Sequence, residues 1–141
     1  MTTTFEGPGD AGPFTLALRP PLSDAELNDL FTASWPGHRP GSFAPVLERS
    51  LAWVAARGGD GRLVGYVNVA WDGGAHAFVL DTTVHPEARR KGLGVRLVRA
   101  AADAARAAGA DWLHVDHEPH LESFYAACGF RPTAAGVMRL G

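Results

Sequence analysis

The sequence predicts a mixed α/β fold in which a mostly antiparallel sheet ends in one parallel pair and helices flank it. Three observations carry that expectation. Extended apolar stretches at 51–56, 62–71 and 76–84 follow one another across glycine-rich turns, the pattern of successive antiparallel strands. From Gly92 to Gly109 the polar side chains Arg96, Arg99, Asp103 and Arg106 recur at steps of three, four and three, which is a helical period. A further extended stretch at 111–117 completes a strand–helix–strand crossover, so the strands on either side of that helix are expected to be parallel neighbours.

Residues 1–13 carry Gly7, Pro8, Gly9, Gly12 and Pro13 with little to bury, and are expected to be a flexible lead-in to a single domain over 14–141. Phe14, Leu16 and Leu18 alternate with Thr15, Ala17 and Arg19, which suits a half-buried strand stopped by Pro20 and Pro21. Ser23, with Glu26 three residues on, is a capping-box pair that opens a helix to about Ala33. The segment 35–43 is dense in proline and glycine yet carries Trp35, His38, Arg39 and Phe43, a loop with contact-making side chains. A short helix over 43–50 leads into the three strands. After the long helix and the 111–117 strand, Pro119 opens a short helix to Cys128 that Gly129 stops, and 137–140 can add a last strand.

With 141 residues, 46% of them hydrophobic, the chain can bury one core but not two ordinary ones. Thirteen basic against fifteen acidic residues give a net charge of −2, so no basic footprint for nucleic acid is present. Cys128 is the single cysteine, which excludes an intrachain disulfide and a cysteine-rich metal cluster. The first residues show no basic-then-apolar leader, and no stretch approaches the roughly 18 apolar residues of a membrane span. A cytoplasmic protein without a membrane partner is expected; a homodimer is left open.

The most informative run is Val84-His85-Pro86-Glu87-Ala88-Arg89-Arg90-Lys91-Gly92-Leu93-Gly94, where a strand ends and the long helix begins. A helix N-terminus offers unpaired N–H groups and partial positive charge, and glycines let a phosphate approach them. Arg89, Arg90 and Lys91 add formal charge, so a pyrophosphate is the natural ligand. Arg89-x-x-Gly92-x-Gly94 resembles the R/Q-x-x-G-x-G/A signature of Gcn5-related N-acetyltransferases, and Val84-x-Pro86 resembles its lead-in. Phe124-Tyr125-Ala126-Ala127-Cys128-Gly129-Phe130 is similar to the family's second segment, F/L-Y-x-x-x-G-F, at the expected distance. Other glycine-loop readings fit less well. Leu97 stands where a dinucleotide fingerprint needs a small residue, no Gly-Lys-Ser/Thr of a P-loop occurs, and the structural alternative is a glycine turn with a solvated basic run.

The resemblance implies an acetyl-CoA-dependent enzyme that acetylates an amine, with the alternative of a noncatalytic acyl-CoA-binding module of the same fold. It implies a splayed parallel strand pair, backbone groups around Thr82 and Val84 on the pantetheine arm, and those of Arg89, Arg90, Lys91, Gly92, Leu93 and Gly94 on the pyrophosphate. It assigns Tyr125 as the acid that protonates the departing thiolate; the other reading is an aromatic packed beside Phe124. For the base, the family position on the 111–117 strand falls on His114, whose imidazole accepts protons near neutral pH; a surface imidazole, Asp81 or ordered water are the alternatives. Glu118 stands where the family often has asparagine. Trp35, His38, Arg39 and Phe43 are the expected acceptor contacts, and the acceptor is a small amine or a protein N-terminus. No metal is expected, because Pro119 interrupts the Asp116, His117, Glu118, His120 run and no known ligand spacing occurs.

Overall fold

The computed structural model describes the backbone of residues 3–5 and all of 14–141. Among the described residues six strands lie in one sheet in sequence order: β1 (Thr3–Phe5), β2 (Thr15–Leu18), β3 (Ala52–Arg57), β4 (Leu63–Trp71), β5 (His76–Val84) and β6 (Trp112–His114). Every neighbouring pair is antiparallel except β5 and β6, which are parallel as the crossover requires. Helices α1 (Asp24–Ser34) and α2 (Ala44–Arg49) join β2 to β3, and α3 (Leu93–Ala107) makes the crossover. A final helix, α4 (Glu122–Ala127), follows β6.

The two faces of the sheet bury different helices, and side-chain period decides which residues go where. Leu93, Leu97, Ala101 and Ala104 of α3 pack with Val54, Val67, Val69 and Val79 on one face. On the other, Leu27, Leu30 and Phe31 of α1 pack with Ala55, Leu63 and Tyr66. Close approach of α3 rests on Gly65, where an added Cβ would sit 2.9 Å from Leu97 Cδ1 and 3.2 Å from Ala56 Cβ. At the other helix the capping box is closed: Glu26 N–H donates to Ser23 Oγ at 3.1 Å and Ser23 N–H to Glu26 Oε2 at 3.0 Å. The remaining oxygen, Oε1, meets Arg57 Nη1 at 2.6 Å, which ties the start of α1 to the end of β3.

Four expectations change. Thr3–Phe5, inside the expected lead-in, pairs with β2; the rest of 1–13 lies outside the described residues. The 111–117 strand shrinks to Trp112–His114, because Asp116, His117 and Glu118 stay exposed in water and leave the ladder. The helix from Pro119 splits into a 3-10 turn and α4, since Leu121 N–H reaches back three residues to Glu118 O at 2.9 Å and Glu122 N–H reaches back three to Pro119 O. No strand forms at 137–140: Val137, Met138 and Leu140 are 86%, 80% and 91% exposed, with no ladder partner to bury them.

Candidate active site

Strand β6 leaves β5 early. Their pairing runs only from His76↔Trp112 to Phe78↔His114, while β5 continues to Val84. The two strands therefore form a fork, and the β6-facing edge of β5 from Val79 onward has no strand partner among the described residues. Thr82 and Val84 lie on that free edge, where backbone groups can pair with an extended ligand.

At the end of β5, Arg89 Nε donates to Val84 O at 3.2 Å and a 3-10 turn over Pro86–Ala88 turns the chain toward α3. Arg90 and Gly92 take left-handed φ values of 64° and 76°, and Gly92 is the N-cap of α3 without any side-chain cap. The first amides of a 15-residue helix are thus left without a side-chain acceptor beside exposed Arg89, Arg90 and Lys91. Leu93 differs from its neighbours: its side chain is buried under the sheet, so only its amide is available to a ligand. Nothing lies within 4 Å of a Cβ built at Gly92, so conformation alone calls for glycine there. Gly94 is a space requirement, because a Cβ would fall 2.9 Å from Phe124 Cε1. The two motifs, thirty residues apart, meet at this contact.

Tyr125 follows Phe124 and is 6% exposed. Its ring lies against His117, Phe124 and Phe130, with centroids at 5.0, 4.8 and 5.7 Å. Its hydroxyl points to Thr82 Oγ1 at 3.4 Å, on β5 beyond the start of the fork. Burial pushes the phenol above its ordinary pKa, opposed by the Thr82 hydrogen bond, so it holds its proton at neutral pH. Cys128 is half-buried, and burial likewise raises its thiol.

His114 is exposed at the last paired position of β6. Its Nε2 meets His76 Nδ1 at 2.8 Å, and its ring stacks on Phe78 at 4.7 Å. In the 35–43 loop, His38 Nε2 meets Asn28 Oδ1 at 2.9 Å and its ring packs near Phe31 and Phe43; Phe43 N–H donates to Asp24 Oδ1 at 2.8 Å. His38 and Phe43 thus hold the loop to α1. Trp35 reaches across to the sheet, its Nε1–H donating to Thr83 Oγ1 at 3.0 Å. Arg39 is exposed and makes no hydrogen bond or ion pair with the described residues.

Two features escaped the sequence reading. Tyr66↔Thr83 and Asn68↔Leu80 are successive pairs on β4 and β5, so β5 carries one extra residue, a bulge at Asp81 with φ 58°. Tyr66 and Asn68, 0% and 2% exposed, leave Tyr66 Oη and Asn68 Oδ1 without partners among the described residues. A polar residue at Asn68 inside the apolar run Val67-Asn68-Val69 was the available signal. The described residues contain no helix long and apolar enough to cross a membrane, and no group of three or more metal-ligating side chains.

Comparison with known proteins fits this geometry. The chain is 41% identical over 58 residues to a probable glucosamine 6-phosphate N-acetyltransferase of Oryza sativa, covering 41% of this chain and 35% of that one. It thus spans about a third of that relative, and between 20% and 31% of mycothiol acetyltransferases it also matches. A GNAT family acetyltransferase of Streptococcus pneumoniae superposes with a TM-score of 0.77 at 23% identity, over 91% of this chain and 98% of that one. A Bacillus subtilis acetyltransferase solved in complex with CoA superposes at 0.67 with 26% identity, over 84% and 77%. The profile of the acetyltransferase (GNAT) family matches residues 24–130, from α1 through the end of the second motif, and this chain belongs to that family.

Proposed function

We propose that the protein is a cytoplasmic acetyl-CoA-dependent N-acetyltransferase that moves the acetyl group to a primary amine by direct attack on the thioester. The observation that carries this reading is the meeting of the two motifs at the fork: Phe124 packs on Gly94 while Tyr125 reaches Thr82. The pyrophosphate takes the amides and charges from Arg89 to Gly94, and the pantetheine arm takes the free edge of β5 at Thr82 and Val84. That edge delivers the thioester to Tyr125, which protonates the leaving thiolate. The CoA complex of the Bacillus subtilis neighbour supports the cosubstrate. The names of the similar proteins support a small amine as the acceptor, approached past Trp35 and Arg39.

Calorimetry with CoA tests the binding half. The native chain binds, and Gly92→Glu, which puts a side chain and a negative charge into the phosphate site, binds severely less. Unchanged affinity in a folded variant refutes the site. Release of CoA thiol with a panel of amines tests the transfer half; binding with no release from any amine describes a noncatalytic CoA-binding module instead.

A further inference from the structure

The 3-10 turn that carries β5 into the phosphate-binding residues has one backbone donor it cannot use itself. Pro86 has no N–H, and Ala88 N–H bonds back to His85 O at 2.8 Å, which leaves Glu87 N–H. That donor goes to a side chain: Glu87 N–H meets His85 Nδ1 at 3.1 Å. The imidazole is anchored in turn, because His85 N–H donates to Val64 O on β4 at 2.8 Å. Toward the phosphate site the turn closes loosely, with Arg89 N–H 3.5 Å from Pro86 O, the outer limit of a hydrogen bond. The side-chain cap is therefore the firmer tie between the sheet and the residues that follow.

The state of the ring can be read from its neighbours. A backbone N–H only donates, so Nδ1 receives it as a bare nitrogen, and the proton of the neutral ring sits on Nε2. Arg62 Nη2 stands 2.9 Å from Nε2 and 3.4 Å from Nδ1, too near to both to lie along either lone pair. The guanidinium thus presses on the ring and leaves Nδ1 to the cap. The same Nη2 donates to Glu87 Oε2 at 2.9 Å, an exposed pair that contributes little stability but keeps the carboxylate, the only acid between Val84 and Gly94, on the Arg62 side. Toward α1 the ring faces a cavity of about 310 Å³ lined also by Glu26, Asp29, Leu30 and Leu63, so core packing does not account for a histidine here.

We infer that His85 is a positioning residue for CoA, holding the turn so that the amides from Arg89 to Gly94 are arranged for the pyrophosphate before it arrives; the assignment rests on the acetyltransferase reading above. Aspartate would cap the same donor but place a negative charge beside the phosphate site, and alanine would leave the donor to water. A neutral imidazole supplies an acceptor without a charge. Order that the free protein lacks must be supplied on association, so losing the cap appears as lost affinity. His85 makes its contacts with Val64, Glu87, Ala88 and Arg62 and none with Thr82 or Tyr125, which keeps this work apart from the transfer step.

The test is calorimetry with CoA on the native chain and three variants, with cooperative melting of each as the control. His85→Ala and His85→Leu, which remove the acceptor with and without loss of volume, are each expected to bind CoA about 3 to 30-fold more weakly. His85→Asn, whose side-chain oxygen can accept the Glu87 N–H as in an Asx turn, is expected to stay within about 2-fold of native. Asparagine restores the acceptor and not the aromatic surface, so its rescue separates the cap from the bulk of the ring. Native affinity in a folded His85→Ala or His85→Leu overturns the assignment, as does His85→Asn weakened as much as they are. If one acceptor-free variant does not fold, the other is compared with His85→Asn on the same terms. Failure of the native chain to bind CoA refutes the proposed function itself.

Discussion

Tyr125→Phe separates chemistry from packing, because the structure assigns ring and hydroxyl different work. The ring keeps its contacts with His117, Phe124 and Phe130 in the variant, since the substitution removes one oxygen. Only the 3.4 Å contact to Thr82 disappears. A hydrogen bond that long contributes at most about 0.5 kcal/mol, so melting should fall by about 2 °C or less. The effect on transfer is much larger. Proton donation from a phenol near 10 to a thiolate near 8.5 is uphill by about 2 kcal/mol, and burial of Tyr125 adds to that. The acid must therefore act as the C–S bond breaks, where removing it costs about 10² to 10⁴-fold, or about 3 to 5 kcal/mol of barrier. Single-turnover rates read this without interference from product release, with acetyl-CoA affinity measured by calorimetry as the control. An unchanged single-turnover rate would leave Tyr125 as a packed aromatic and refute the acid role.

Gly65→Ala forces a methyl group against Leu97 and Ala56, so overpacking outweighs the entropic gain and costs about 1 to 2 kcal/mol net, a melting drop of about 3 to 8 °C. An unchanged or higher melting temperature refutes the close contact of α3 with β4. Glu26→Ala removes the acceptor of the Ser23 N–H in the capping box and the Arg57 pair together, for about 1 to 2 kcal/mol in urea unfolding, whereas Glu26→Gln keeps an acceptor for that N–H and loses less. The Arg57 hydrogen bond, with the Ser23 amide, holds the Glu26 carboxyl below its ordinary value. Its stabilisation is therefore present above about pH 4.3 and fades as pH falls through the folded-state value, so the gap between native and Glu26→Ala should narrow in acid. Asp81 has the opposite sign. Its folded-state value is raised, so the folded protein loses stability as pH climbs from about 3.9 through that value. Asp81→Asn should melt above the native chain at neutral pH and converge with it near pH 4; a constant difference, or a lower melting temperature, contradicts the desolvated carboxylate.

What could be read from the residues alone was what depends on near neighbours in sequence. Ser23 and Glu26 are three apart and form the cap foreseen for them; the period from Arg96 to Arg106 marks the helix that forms; Gly92 and Gly94 mark its start. The fork follows from the crossover only in outline. How far β6 runs depends on whether Asp116 and Glu118 find anything better than water beyond His114, which periodicity does not encode. The bulge at Asp81 is a mismatch between two strands, so β5 read alone shows unbroken extended chain. For the same reason nothing in the 62–71 stretch singles out Tyr66: its hydroxyl becomes an unpartnered buried group only once α1 covers that face. The 137–140 stretch has strand-like residues, but a strand needs an edge as well as a composition.

The bulge makes chemistry and framework separable at one position. On either side of Asp81 the residues of β5 face alternately, with Leu80 and Thr83 toward the α1 side and Val79, Thr82 and Val84 away from it. With Asp81 removed, Val67 would stand opposite Thr82 and the ladder from Gly65↔Val84 to Trp71↔Ala77 would run without a break. A deletion there shortens the strand by one unit without turning any neighbour over. The carboxylate is thus a graft on a sheet already complete in its register, and it can be gained, lost or exchanged without re-specifying either of the two cores that the strand divides.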